Sequence, residues 1–256
     1  MAEGFGRTVL RFLLWCLFYC AVAVIGNILG DVTNSDDVMS WTMLSGAILM
    51  VAIYLGKRYV KLSFGRIERR VVLPAVGVSV LIAVAYVFVL VSIFTLFDFE
   101  HLFPKESESL EETGKLLFPG IAGLLYGCIF CPILEEIGLR GILLGGLQKS
   151  RCRPGLAILI TAIIFALLHG MGVHSVVSFV FAIIVGWLYW RTGSIIPGMI
   201  VHIVNNSLSF IDLSGQTEVA CMLILVGSLL LLAFGLWWFA KRCIPLQGQA
   251  ESSHRR

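Results

Sequence analysis

Residues 131–141 read Cys131-Pro132-Ile-Leu-Glu135-Glu136-Ile-Gly-Leu-Arg140-Gly141 and lie inside an apolar run that extends from about 116 to 147. On insertion scales an ionised Glu or Arg at the centre of a membrane-spanning helix costs about 2.5–3.5 kcal/mol, so Glu135, Glu136 and Arg140 need pairing, neutralisation or water. An α-helix turns about 100° per residue, so Glu136 and Arg140, at i and i+4, share a face and form an ion pair, while Glu135 points elsewhere. This spacing divides labour: Arg140 neutralises and orients Glu136, and Glu135 is left to face a water. A buried salt bridge that only fixes helix packing accounts equally well for Glu136 with Arg140, but it does not account for Glu135.

The surrounding sequence is that of an all-α, polytopic membrane protein. Of its 256 residues 58% are hydrophobic and 14% charged, and the mean hydropathy is +0.93, more apolar than a soluble domain of this length requires. A span needs roughly 17–25 residues. The runs near 9–30, 41–56, 72–97, 116–147, 155–170, 175–190, 195–212 and 219–240 therefore predict about eight transmembrane helices in a single integral membrane domain, 1–256. The second, fifth and seventh are the shortest. The first run is long for a secretory signal and no clear small-residue cleavage site follows it, so it is read as a retained helix.

Loop charges alternate along the chain. The segment from Lys57-Arg58 to Arg69-Arg70, the stretch Lys149-Ser150-Arg151-Cys152-Arg153, Arg191, and the tail from Lys241-Arg242 to Arg255-Arg256 are basic. The segments around Asp31, Asp36 and Asp37, around Glu106 to Glu112, and around Asp212 and Glu218 are acidic or poor in Lys and Arg. By the positive-inside rule the basic set is cytoplasmic, and so are both termini, in the plasma or inner membrane if the source is prokaryotic. Topology thus accounts for the net charge of +3. No contiguous basic face suggests nucleic acid, and anionic membrane lipids are the expected partners of the basic loops. Residues 98–115 form the expected outer excursion, with a short surface helix over Ser107 to Glu112.

The seven cysteines are odd in number and sit mostly within helices, which excludes a disulfide framework. Cys128-Ile-Phe-Cys131 would put both sulfurs near the face carrying Glu135, and small apolar packing residues are the reading adopted for them. Asn205-Asn206-Ser207 matches a glycosylation sequon, but at membrane depth it is no acceptor.

Two further helices carry polar side chains. Phe165-Ala-Leu-Leu-His169 places an aromatic ring and an imidazole one turn apart on one face, and His202-Ile-Val-Asn205-Asn206 does the same for His202 and Asn206. Counted from cytoplasmic ends near Gln148, Pro154 and Gly193, the rise of about 1.5 Å per residue puts Glu135, His169, His202 and Asn206 roughly 20, 22, 14 and 20 Å into the membrane. They fall in one layer, where converging helices would enclose a polar cavity. Gly138, Gly141 and Gly145 permit close helix approach. Pro132 removes a backbone donor and frees the carbonyl of Cys128, so a kink or a water is expected there. His101 and His174 are read as solvated loop residues, and His254 as part of the tail.

A carboxylate able to take a proton, imidazoles able to give one, and an amide able to stabilise an oxyanion are the parts of water-driven amide hydrolysis. The same imidazoles are able to hold Zn²⁺, with Glu135, His169 and His202 as candidate ligands and a water in the open position. No HExxH is present, so the usual zincin spacing is absent.

These residues resemble the CPBP family of intramembrane proteases, also called the CAAX protease and bacteriocin-processing or Abi family. Its ordered motifs EExxxR, FxxxH and HxxxN are matched by Glu135-Glu136-Ile-Gly-Leu-Arg140, Phe165-Ala-Leu-Leu-His169 and His202-Ile-Val-Asn205-Asn206 within a catalytic core of about 115–212. The resemblance implies an endopeptidase acting on a membrane-associated, CaaX-like peptide or protein. In it Glu135 activates water, His169 assists proton transfer, His202 and Asn206 hold the water or the oxyanion, Glu136 and Arg140 support the site, and Phe165 lies at the substrate. The family includes members described as metalloproteases and members argued to be glutamate proteases. Two other readings stay open: an immunity or scaffold protein of the same fold, and a proton- or ion-coupled transporter, although no internal repeat is visible.

Overall fold

The computed structural model describes residues 2–56, 63, 65, 67–105, 120–209, 211, 213 and 215–243. Among these there is no strand. The helices are α1 (Ala2–Thr33), α2 (Asp36–Gly56), α3 (Val72–Leu96), the short α4 (Phe99–Leu102), α5 (Gly120–Lys149), α6 (Pro154–Leu168), α7 (Val173–Thr192), α8 (Ile196–Ser207) and α9 (Glu218–Arg242). The expected surface helix over 107–112, Lys57-Arg58 and the tail with His254 lie outside the described residues.

Among the described residues each of the eight expected apolar runs carries a helix, but these helices differ in length. Among the described residues, α1, α2, α3, α5, α7 and α9 are long and apolar enough to cross a membrane. The fifth and seventh runs form helices of 15 and 12 residues, about 22 and 18 Å by the helical rise. Local chemistry sets these bounds. The second run starts earlier than its apolar residues because Ser35 Oγ accepts from Val38 N–H at 3.4 Å and Asp36 and Asp37 occupy the first turn, where carboxylates suit the helix dipole. Helix α6 begins at Pro154 and stops before Gly170 and Gly172, whose φ of 90° and 109° only glycine adopts readily. Helix α9 begins at Thr217, whose side chain accepts from Ala220 N–H at 3.2 Å.

The chain divides into two compact units. The first comprises Met1–Leu62 and Glu112–Trp187, the second Ser63–Glu111 and Leu188–Arg256. In the first, α1 packs on α2 and on α5, and α6 packs on α5. Two glycines of α5 allow the approach of α1: a Cβ on Gly138 would come within 2.5 Å of the Trp15 ring, and one on Gly146 would meet Thr8. Gly138 was singled out by spacing; Gly146 was not. In the second unit α3 packs against α8 and α9, and a Cβ on Gly235 would stand 2.5 Å from Ile82 Cγ1.

This close approach predicts a contrast within α9. Gly235→Ala should lower the thermal unfolding midpoint in detergent, by about 1–3 kcal/mol of overpacking, whereas Gly227→Ala, with nothing within 4 Å of the added Cβ, should leave it unchanged or slightly raised. Equal midpoints for the two variants would contradict the packing described.

Candidate active site

The stretch that carries the carboxylates is not one regular helix. Within α5, residues Tyr126–Phe130 and Glu136–Leu144 form wide π-helical turns that flank a single α-helical turn, Cys131–Glu135. The backbone N–H of Cys131 bonds to the carbonyl of Tyr126, and that of Gly145 to the carbonyl of Arg140, both i to i+5. Pro132 has no N–H to donate and its ring crowds the carbonyl four residues earlier, which favours a wider turn just before it. The expected disturbance at Pro132 therefore takes the form of an i→i+5 turn. Such turns recur at functional sites because they re-aim side chains without ending the helix.

Glu136 and Arg140 form the expected ion pair, with Nη1 donating to Oε1 at 2.8 Å. Both are sealed, at 0% and 1% exposure. Arg140 also donates from Nη2 to the Ala182 carbonyl on α7 at 3.3 Å. Its guanidinium carbon lies 5.1 Å from the centroid of the Phe165 ring on α6, an arrangement in which the ring face attracts the cation. One side chain thus ties three helices of the first unit together. Glu135, the neighbour of Glu136, is only half-buried.

Phe165 and His169 share a face as expected, with ring centroids 4.2 Å apart. Phe165 is 2% exposed, with its ring beside Arg140 and His169. His169 caps the C-terminus of α6 instead of lying within a span. Its Nδ1 lies 2.8 Å from the Phe165 carbonyl oxygen. A carbonyl only accepts, so Nδ1 carries the hydrogen in this contact.

In the second unit, His202 and Asn206 stand four residues apart on α8, His202 at 3% exposure and Asn206 half-buried. The side-chain amide of Asn205 donates to Asn206 Oδ1 at 3.3 Å. Neither unit, taken alone, offers a ready metal donor set: among the described residues no group of three or more His, Cys, Asp or Glu side chains able to hold a metal ion occurs.

One reading is revised and another is made more specific. His174, expected in or near an outer loop, lies exposed in the first turn of α7 with its ring 5.5 Å from that of His169. Cys131 is more than an apolar filler, because its Sγ donates to Glu135 Oε1 at 3.3 Å. Its i, i+4 spacing from Glu135 was the available signal. Two further groups were not foreseen: Tyr19 Oη lies 3.5 Å from the Cys131 sulfur and 2.9 Å from Tyr126 Oη.

With this geometry in hand, residues 117–208 match the family model described as Type II CAAX prenyl endopeptidase Rce1-like. That segment is similar to the CAAX protease family. The match takes in α5 to α8 with Glu135, Glu136, Arg140, Phe165, His169, His202 and Asn206, and leaves out α1 to α4 and α9. No curated protein and no solved structure matches the chain. A segment that matches a CAAX endopeptidase model, together with six apolar helices of spanning length among the described residues, makes this an integral membrane protein and supports an intramembrane protease of the CAAX type in general.

The Glu136–Arg140 pair is expected to be a structural necessity. Arg140→Met should cost about 3–5 kcal/mol by leaving a carboxylate in the interior without its guanidinium partner, read as a large drop in the thermal midpoint of the detergent-solubilised protein. Combining it with Glu136→Leu should recover part of the loss. An Arg140→Met protein as stable as the parent would contradict the buried pair.

Proposed function

We propose that this protein is an intramembrane endopeptidase that hydrolyses a peptide bond in a membrane-anchored peptide or protein, with a prenylated CaaX-like C-terminus as the substrate class. The observation that carries this reading is the contrast between two adjacent glutamates. Glu136 is sealed with Arg140 at 2.8 Å, whereas Glu135 is half-buried beside it, in a segment that matches a CAAX endopeptidase model. One carboxylate is sealed in an ion pair and the other keeps partial exposure.

Glu135 takes a proton from water as the water oxygen adds to the scissile carbonyl carbon. His202 and the Asn206 amide stabilise the oxyanion that forms. As the C–N bond breaks, the departing nitrogen receives a proton, in a transfer assisted by His169. The products are a new carboxyl terminus and a released peptide amine. Phe165 packs against His169, and Glu136 with Arg140 holds the helix that presents Glu135. The basic segments, including Lys149 to Arg153 and Lys241-Arg242, face the cytoplasm in this reading, so both termini do as well.

Purified protein should cleave one or more members of a panel of prenylated and unprenylated membrane-tethered peptides, and Glu135→Gln should lower the rate by at least about a hundredfold while leaving the thermal midpoint near the parent's. A zinc chelator in parallel separates metal-dependent from metal-free turnover. A Glu135→Gln protein that cleaves at the parent rate would overturn the proposal, and Glu135-dependent proton or ion flux in vesicles without any cleavage would replace it with transport.

A further inference from the structure

We propose that Tyr126, Tyr19 and Cys131 form a hydrogen-bonded chain that positions the carboxylate of Glu135, so that α1, outside the matched family segment, serves the site. This inference rests on Glu135 being the base. The contacts are Tyr126 Oη to Tyr19 Oη at 2.9 Å, Tyr19 Oη to Cys131 Sγ at 3.5 Å and Cys131 Sγ to Glu135 Oε1 at 3.3 Å.

One donor order satisfies all three. A carboxylate ready to take a proton from water only accepts hydrogen bonds. The thiol hydrogen therefore goes to Oε1, which leaves the sulfur lone pairs to accept from Tyr19. Tyr19 has then used its hydrogen, so its oxygen accepts from Tyr126. The chain runs Tyr126 to Tyr19 to Cys131 to Glu135, with every donor pointing toward the negative charge. A thiol by itself is a weak donor, but donors in series polarise one another in a low-dielectric interior. The chain makes the thiol a better anchor for Oε1 than an isolated cysteine.

The backbone irregularity of α5 serves this arrangement. Tyr126 and Cys131 are five residues apart, which in a regular α-helix leaves them about 140° apart around the axis. The i→i+5 bond from Cys131 N–H to the Tyr126 carbonyl brings them toward one face. From Cys131 the helix returns to α geometry through Glu135, which puts the thiol and the carboxylate one turn apart. Tyr19 is held in turn from α1. Its ring stacks on Trp15 at 5.6 Å between centroids, and Trp15 stacks on Phe12 at 5.7 Å. Trp15 is 3% exposed and lies against Gly138, three residues beyond Glu135. A larger residue at 138 would displace Trp15 and with it Tyr19.

Two measurements on the full-length protein test this. The first needs no activity: the infrared S–H stretching band of Cys131, isolated by difference against Cys131→Ala, should lie at lower frequency in the parent than in Glu135→Leu, and should move upward in Tyr19→Phe. A band indifferent to both substitutions would overturn the chain. The second is kinetic. Cys131→Ala should lower kcat roughly tenfold with little change in KM, as for loss of a hydrogen bond to a charged group. Cys131→Ser, which restores a donor, should recover most of it, and Cys131→Ala/Tyr19→Phe should lose no more than Cys131→Ala, because members of one chain are not additive. Parent-like kcat in Cys131→Ala, or independent losses that serine does not rescue, would reduce Cys131 and Tyr19 to packing residues. Full activity in Glu135→Gln would instead bring down the proteolytic role of Glu135 and the positioning role with it, while the infrared band still reports whether the chain exists.

Discussion

The buried pair between Glu136 and Arg140 is the constraint on which the first unit depends. Two charges removed from water attract strongly but lose their hydration, so such a pair is tolerated only when geometry and further contacts are good. Arg140 meets that demand by spreading its charge. One amino group meets the Glu136 carboxylate, another meets the Ala182 carbonyl, and the planar face lies by the Phe165 ring. Its Nε, buried with no hydrogen-bond partner among the described residues, leaves that ring contact as a specific use of the guanidinium plane. The result is that α5, α6 and α7 are joined through one side chain, and His169 packs against the same ring.

This arrangement gives two consecutive carboxylates different environments. Glu136 is committed to Arg140, and its burial is what permits a second carboxylate at the next position to keep a different environment. A regular helix would have set the two about 100° apart and done no more. The alternation of wide and regular turns in α5 adds a further adjustment, because it places Cys131 and Glu135 on one turn while moving Tyr126 toward the same side. Pro132 is the local cause that sequence supplies for the first wide turn. The second, over Glu136–Leu144, contains no proline, and it holds both the buried pair and the close approach at Gly138.

Much of the candidate site was legible because it is written in i, i+4 spacing. Glu136 with Arg140, and Phe165 with His169, are neighbours on single helices, and both contacts appear where the spacing put them. Cys131 with Glu135 has the same spacing and was read as packing, since a cysteine in an apolar helix carries little signal. The burial of Phe165 beside Arg140 follows from helix packing, which spacing does not reveal. His174 was placed in or near an outer loop, and two glycines, Gly170 and Gly172, separate it from His169. Those same glycines turn the chain so that the start of α7 returns beside the end of α6.

By itself the sequence determined that the chain is a bundle of apolar helices, that the charges within them must be satisfied, and which partners lie one turn away. These are consequences of hydropathy and of the helical repeat, both properties of a single segment. Only the tertiary structure decided that Trp15 fills the space over Gly138, that Arg140 reaches a carbonyl on α7, and that Tyr19 meets Tyr126 across 107 positions of sequence. Such contacts depend on which faces of two helices meet and at what height. That choice is made jointly by the side chains of both, by small residues that let backbones close in, and by wide turns that shift the angular register, so no single helix encodes it.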